Sequence, residues 1–157
     1  MVTAAWVRNT VLFSGLDEFQ IDVILSHSSI EFFPEGKNVF SQGDDAYRLY
    51  ILIEGVVTLT VKTGERIDFM ASTIDKEGAA FGMPCLLEPF RNNVTATALK
   101  PSKVLIIEAT PVREKMEEDP EMGMEIMKKL ALIYFNRLNE MREGVSKFLR
   151  GFKDKIP

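Results

Sequence analysis

The chain has 157 residues, a length typical of one domain. Hydrophobic residues make up 46% and charged residues 27% of it, a balance that excludes an intrinsically disordered chain. Its one cysteine excludes an internal disulfide framework, and one cysteine with one histidine predicts the absence of a metal site. Since no apolar run reaches the ~20 residues of a membrane span and no signal-peptide pattern is present, we expect a cytoplasmic protein without a membrane partner.

The formal net charge of −4 argues against a dedicated nucleic-acid binder. This charge is unevenly distributed, because residues 128–157 carry eight basic and three acidic side chains, a local balance of +5. A solvated helix face explains the excess, since the helix dipole favours cations near a C-terminus. The alternative is an electrostatic docking surface for a partner.

The first helix is predicted at Glu18–Ser26. Asp17 can cap its N-terminus, and Gln20, three residues further on, completes a capping box. The side chains expected on its buried face are Phe19, Val23 and Ile24.

Between Ser29 and Ile107, short β-rich runs are separated by turn residues at a spacing of roughly 8–12 residues. This spacing is typical of an all-β sandwich or barrel. The predicted strands are Ile30–Phe33, Asn38–Phe40, Leu49–Ile53, Val56–Val61, Arg66–Ile74, Val94–Leu99 and Lys103–Ile107.

The chain beyond Ile107 is predicted to be helical, first in a short helix at Thr110–Glu118 and then in a long helix that Asp119 and Pro120 begin. In the long helix, apolar residues recur at alternating steps of four and three over three heptads. Such a stripe favours a partner helix, so we expect a homodimer through residues 120–150; the alternative is packing on the chain's own β-domain. The stripe consists of Met127, Ala131, Tyr134, Leu138, Met141, Val145 and Phe148.

The most informative segment is residues 75–98, which follows the order strand, glycine turn, Phe81-Gly82, one-turn helix, polar turn and strand. A glycine that leads into a helix N-terminus offers backbone N–H groups to an anion. Arg91 lies a few residues further on, and an arginine there can add a forked contact to a phosphate. By itself this pattern is weakly specific.

Further motifs occur in a fixed order along most of the chain, and the long helix follows them. They are Phe13-Ser14-Gly15-Leu16, Phe33-Pro34-Glu35-Gly36-Lys37, Gln42-Gly43-Asp44, Leu49–Gly55 and Gly78-x-x-Phe81-Gly82. With them, the chain from Leu12 to about Arg142 resembles a cyclic-nucleotide-binding domain of the cAMP-receptor-protein and FNR type.

The resemblance implies a mainly β fold, in which a β-roll (a double-stranded β-helix or jelly roll) carries an N-terminal helix and a long C-terminal helix. The β-roll is expected at 29–108, with the family's phosphate-binding cassette at 78–98. The remaining expected parts are an N-terminal helical segment at 1–28, C-terminal helices including the dimerisation helix at 109–150, and a tail at 151–157.

Two positions depart from the family's cassette. The glutamate of the family's Phe-Gly-Glu motif holds the ribose hydroxyl, and Met83, which stands here instead, cannot accept a strong hydrogen bond. Counting back from Ala98, the family arginine that pairs the cyclic phosphate corresponds to Asn92, one residue from Arg91. A slip of one residue turns a strand side chain to the other face, although a turn can absorb the offset and aim Arg91 inward. We therefore expect weak or absent binding of cAMP and cGMP.

Three alternatives follow for the pocket: a different small ligand, binding through backbone N–H groups and Arg91, or a scaffold without a ligand. No catalytic residue is expected. The alternatives for Cys85 are a small buried hydrophobe and a reactive thiol. The candidate ligand-binding residues are Phe81, Gly82, Met83, Pro84, Cys85, Arg91, Asn92 and Asn93. The resemblance adds Ser72 and Thr73 on the preceding strand and Met141 and Arg142 on the long helix.

The expected function is that of a non-enzymatic regulatory or sensory module for signal transduction. Its ligand, if it binds one, is a cyclic nucleotide (cAMP or cGMP) or another small anion. The alternative is a ligand-free interaction scaffold that docks a protein partner through the basic C-terminal helix. Transcription factors of the family carry a helix-turn-helix domain after the long helix, whereas only Gly151–Pro157 follow here, so no direct DNA binding is expected.

Overall fold

The computed structural model of the chain describes residues 1–64 and 69–156. The expected mainly β fold, with a helix before the strands and a long helix after them, is confirmed. The helices are α1 (Ala4–Arg8), α2 (Glu18–Ser26), α3 (Ala109–Glu118) and α4 (Pro120–Lys153), and a 3₁₀ turn spans Met83–Leu86. The strands are β1 (Ser28–Phe33), β2 (Asn38–Phe40), β3 (Arg48–Glu54), β4 (Val57–Val61), β5 (Phe69–Ile74), β6 (Ala80–Phe81), β7 (Thr95–Ala98) and β8 (Ser102–Glu108).

The strands form two four-stranded antiparallel sheets, in the orders β1-β8-β3-β6 and β2-β7-β4-β5. Six of the seven predicted strands lie within two residues of the observed ends. The seventh, predicted at Arg66–Ile74, is described from Phe69 onward, and residues 66–68 lie outside the described residues.

Strand β3 contributes to two separate apolar cores. Tyr50 and Leu52 belong to the cluster inside the roll, between the two sheets. Leu49 and Ile51 belong to the cluster that packs the first sheet against the helices. Because successive side chains of a strand point to opposite faces, one continuous apolar run fills both cores.

Helix α2 begins with the predicted capping box. Asp17 accepts a hydrogen bond from the Gln20 N–H at 2.9 Å, and the Gln20 side chain accepts one from the Asp17 N–H at 2.9 Å. The prediction that Phe19 is buried is wrong, since this side chain is 83% exposed. The buried face is centred on Ile21 and Ile24, and the helical turn of about 100° per residue places Phe19 on the opposite side.

Helix α4 begins at the predicted cap, where Asp119 accepts a hydrogen bond from the Met122 N–H at 3.2 Å. Its first turns are buried through Met122, Ile126 and Leu130. From Met141 onward every described residue is exposed. Since 34 residues of helix extend roughly 50 Å, the second half of α4 projects beyond the roll.

Candidate ligand-binding site

A cavity of about 330 Å³ lies between the roll and α4, within the ~300–1,000 Å³ typical of small-molecule sites. Its walls come from β4 and β5, from the segment around the 3₁₀ turn, and from α4. The described lining residues are Leu59, Val61, Ser72, Gly82, Met83, Pro84, Asn93, Val94, Tyr134, Arg137, Leu138 and Met141. A molecule in this cavity therefore touches both the roll and α4.

An aromatic stack inside the roll positions the segment that begins at Gly82. The rings of Phe81 and Tyr50 stack with centroids 5.3 Å apart, and the centroid of the Phe40 ring lies 5.3 Å from that of Tyr50. Gly82 follows with φ of 74°, the left-handed conformation that glycine adopts most easily. A Cβ at Gly82 would lie 2.5 Å from Cδ2 of Tyr50, so the backbone rests directly on the stack. Phe81 is thus buried in the core and Gly82 forms part of the cavity wall.

The three polar residues after the 3₁₀ turn point in different directions. Arg91 is exposed and faces away from the cavity, with Nη1 donating to the Gly43 carbonyl at 3.1 Å and Nη2 lying 3.6 Å from Asp45. Asn92 is only 6% exposed and lines a separate hollow. Asn93 is the residue of the three that lines the cavity. The turn therefore does not compensate for the one-residue shift of Arg91 from the family's arginine position by pointing Arg91 into the cavity. It points this side chain outward.

Asn92 is held mainly through its backbone. Its N–H donates to the Asp44 carbonyl at 2.9 Å, and its carbonyl accepts from the Gly43 N–H at 2.7 Å. Its side-chain oxygen Oδ1 is buried without a hydrogen-bond partner among the described residues. The side chain faces a hollow of about 420 Å³ whose lining includes Asp44, Asp45 and Arg48.

Of each of the two pairs of candidate residues outside the cassette, one residue lines the cavity and the other does not. Ser72 lines the cavity, while Thr73 is exposed, because neighbouring residues of a strand point to opposite faces. Met141 lines the cavity, while Arg142 lies about 100° further round α4, on its polar face.

Sequence reasoning missed three α4 residues at the cavity, and Arg137 is the most consequential. Its Nη2 donates a hydrogen bond to the Ala80 carbonyl, which ties α4 to the short strand β6. Burial lowers the pKa of the Arg137 guanidinium, while Tyr134 and Glu140 act in the opposite direction. The intrinsic basicity of a guanidinium keeps an arginine charged in proteins. Helical spacing could have indicated Arg137, because residues three and four apart share one face of a helix. Arg137 therefore lies on the same face as Tyr134 and the candidate residue Met141.

Cys85 belongs to the 3₁₀ turn, and its side chain is completely buried. Burial raises the pKa of its thiol to about 12, with Arg113 acting weakly in the opposite direction. The thiolate is the reactive form of cysteine, and it is scarce at neutral pH in this environment. This favours the interpretation of Cys85 as a small buried hydrophobe over that of a reactive thiol.

Arg113 of α3 holds the cassette from outside. Its Nη1 donates to the Cys85 carbonyl at 2.6 Å, and its guanidinium carbon lies 4.1 Å from the centroid of the Phe90 ring. The Arg113 side chain therefore holds the segment from Cys85 to Phe90 at both of its ends.

We expect Arg113→Gln to lower the free energy of unfolding by about 2 kcal/mol, because hydrogen bonds of charged groups contribute ~1.5–3 kcal/mol and cation–π contacts ~0.5–2 kcal/mol. Urea unfolding measures the change. Lys115→Gln is the matched control, since this α3 lysine forms a 4.0 Å ion pair with the exposed Glu118, and the loss of such a pair should cost below ~0.5 kcal/mol. Equal losses in the two variants would contradict a role for Arg113 in holding the cassette.

Within residues 1–64 and 69–156, no helix has the length and apolarity needed to cross a membrane. Nor does this part of the chain bring together three His, Cys, Asp or Glu side chains that could hold a metal ion.

Known proteins resemble the chain in sequence and in structure. The family model of the cyclic nucleotide-binding domain matches residues 30–119. The Global nitrogen regulator of Nostoc sp. is 29% identical over 106 residues, which cover 65% of this chain and 46% of that protein. The Cyclic AMP receptor protein of Thermus thermophilus is 28% identical over 101 residues, which cover 64% of this chain and 46% of that protein. The chain thus spans about half the length of these two relatives.

Among solved structures, a proposed cyclic nucleotide-binding protein from Geobacter metallireducens superposes with a TM-score of 0.79 and 28% sequence identity. The superposition covers 88% of this chain and 99% of that chain. The likeness therefore extends over most of the chain.

Proposed function

Because the chain belongs to the cyclic nucleotide-binding domain family, we propose that it is a regulatory module that senses a small molecule in the cavity between the roll and α4. The observation that carries this proposal is the shared wall of the cavity, which the cassette residues Gly82, Met83 and Asn93 form together with Arg137 and Met141 of α4. A ligand that fits one packing of α4 better than another shifts the population of that helix. Ligand binding in the cavity thereby changes the position of the projecting half of α4.

Cyclic nucleotides bind this module weakly. Met83 is buried at the position where the resemblance implies a carboxylate for the ribose, and the cassette presents the uncharged Asn93 to the cavity where the resemblance implies an arginine for the phosphate. The cation of the described lining, Arg137, lies on α4 instead of in the cassette. The nearby Arg91 is engaged with Gly43 and Asp45 on the outer surface. Each lost hydrogen bond to a charged group costs ~1.5–3 kcal/mol, which is roughly 10- to 150-fold in affinity.

Calorimetric titration with cAMP and cGMP tests this account of the cassette. We expect Asn93→Arg to raise the affinity at least ~10-fold over the unsubstituted protein, because it adds one charge-assisted hydrogen bond from an exposed position. Arg91→Gln is the control and should leave the affinity unchanged. Low-micromolar binding by the unsubstituted protein that is lost in Arg91→Gln would contradict the proposal.

The partner that we propose for α4 is a second copy of the chain, which would pack against residues 120–150. Support comes from a row of exposed apolar side chains that extends beyond the roll, where no residue of 1–64 or 69–156 buries them. Beyond the roll they are Val145, Phe148, Leu149 and Phe152. Leu138 and Met141, which also line the cavity, continue the row towards the roll. In such a dimer the helix that senses the cavity is also the helix that joins the two copies.

A second candidate function is a scaffold that binds an acidic protein partner through the polar face of α4. It is favoured by a shallow hollow on that face, which holds Arg142, Lys147 and Arg150, and none of the three forms an ion pair within the described ranges. A salt-sensitive interaction that survives substitution of Met83 and Arg137 would favour this candidate over ligand sensing.

A further inference from the structure

The cavity contains a cation without a matching anion. Among its described lining residues Arg137 is the one charged side chain, and no ion pair in the described ranges includes it. Its hydrogen bond to the Ala80 carbonyl uses one of the five N–H donors of a guanidinium. Glu140, the carboxylate that acts on Arg137 from the same helix, forms no ion pair with it in the described ranges and is not among the described lining residues of the cavity. A partly buried cation without an anion at ion-pair distance is costly, so an anion in the cavity would be stabilised there.

The rest of the lining is mostly apolar. The polar groups besides Arg137 are the side chains of Ser72, Asn93 and Tyr134, while the other described side chains carry no charge and no strong hydrogen-bonding group. The apolar set is Leu59, Val61, Met83, Pro84, Val94, Leu138 and Met141. The ribose of a cyclic nucleotide, with its free 2′-hydroxyl, would lose water against a mostly apolar surface that offers it no carboxylate, whereas a hydrocarbon body would gain from the same contact.

We propose, on the basis of the function proposed above, that the cavity binds a small amphipathic carboxylate, whose anionic group pairs with Arg137 and whose apolar body packs between β4 and α4. A carboxylate matches the planar fork of a guanidinium through two parallel hydrogen bonds. One negative charge also matches the single cation of the described lining. The cyclic phosphodiester of cAMP or cGMP carries one negative charge as well, so the apolar lining is what favours the carboxylate. Because the anchor lies on α4, a bound carboxylate draws that helix to the roll.

Calorimetric titration with phenylbutanoate and octanoate tests the proposal, with phenylbutanamide and octanamide as uncharged counterparts. We expect the acids to bind at least ~10-fold more tightly than the amides, and Arg137→Gln to remove this difference, since a charged hydrogen bond contributes ~1.5–3 kcal/mol. Arg142→Gln is the matched control, one residue along the helix but outside the cavity, and should bind as the unsubstituted protein does. Arg137→Lys keeps the charge without the fork and should retain part of the affinity.

The outcomes separate this inference from the proposed function. Two results would overturn the inference that the ligand is a carboxylate: amides that bind as tightly as the acids, or acids that bind equally to folded Arg137→Lys and Arg137→Gln. Either result would still be consistent with a cavity that senses some other small molecule. Saturable binding of cAMP or cGMP in preference to the acids would likewise overturn the carboxylate and be consistent with such a cavity. No binding of acids, amides or cyclic nucleotides to the folded protein would overturn both.

Discussion

Gly82→Ala is expected to lower the free energy of unfolding by roughly 2–5 kcal/mol. The backbone at Gly82 has φ of 74°, which a residue with a Cβ adopts at a cost of about 1–2 kcal/mol. The added methyl group would also lie 2.5 Å from Cδ2 of Tyr50 and 3.0 Å from its Cε2. The Tyr50 ring cannot move aside easily, because it packs against the rings of both Phe40 and Phe81, whose centroids lie 6.3 Å from each other. Overpacking of this kind adds about 1–3 kcal/mol.

Gly43→Ala is the matched control for this substitution. Gly43 has φ of 89°, so alanine suffers a comparable backbone cost, but a Cβ there would meet nothing within 4 Å. We expect its loss to stay near ~1–2 kcal/mol in the same urea unfolding experiment. Equal losses in the two variants would show that the aromatic stack does not support the cassette backbone.

Val145→Asp is expected to convert a dimer of the protein into monomers while the roll remains folded. Val145 is 53% exposed in the projecting half of α4, so its side chain contributes little to the fold of one copy. In the proposed dimer, each copy would bury a new carboxylate against apolar side chains of the other, such as Phe148. The cost of burying unpaired charges predicts a loss of dimer affinity of at least ~100-fold, or about 2.7 kcal/mol.

Sedimentation over a range of concentrations measures this effect. Ser146→Asp makes the same change of charge on the polar face of α4, beside Arg142 and Lys147, and should leave the dimer intact. Two results would contradict the proposed dimer contact. One is an unsubstituted protein that is monomeric at every concentration, and the other is that the Val145→Asp and Ser146→Asp dimers dissociate equally.

Local signals in the sequence were sufficient for most of the fold. The capping box of Asp17 and Gln20 and the cap at Asp119 depend on residues three positions apart, and both are confirmed. Most strands were also predicted, because turn residues bound each apolar run. Strand β6 was missed, since its two residues, Ala80 and Phe81, are too few for a periodic pattern and are defined by pairing with Ile51 and Tyr50.

The candidate site was less accessible to sequence reasoning, because turn geometry and tertiary packing decide which side chains reach the cavity. Counting along the chain directed attention to Arg91 and Asn92, whereas the turn presents Asn93 to the cavity. In the sequence, Arg137 is one of the eight basic residues of 128–157. Helical spacing places it on the same face as Tyr134 and Met141, but its approach to Ala80 depends on how α4 lies across the roll, which that spacing does not encode.

The most direct test of a ligand site shared by the roll and α4 is a titration followed by the NMR signals of the backbone amides, with cAMP, cGMP, phenylbutanoate and octanoate as probes. The amides of Gly82 and Asn93 in the roll and of Arg137 and Met141 in α4 should shift together, with one dissociation constant, for each probe that binds. Shifts confined to the roll, or no saturable shift with any of these probes, would contradict the account.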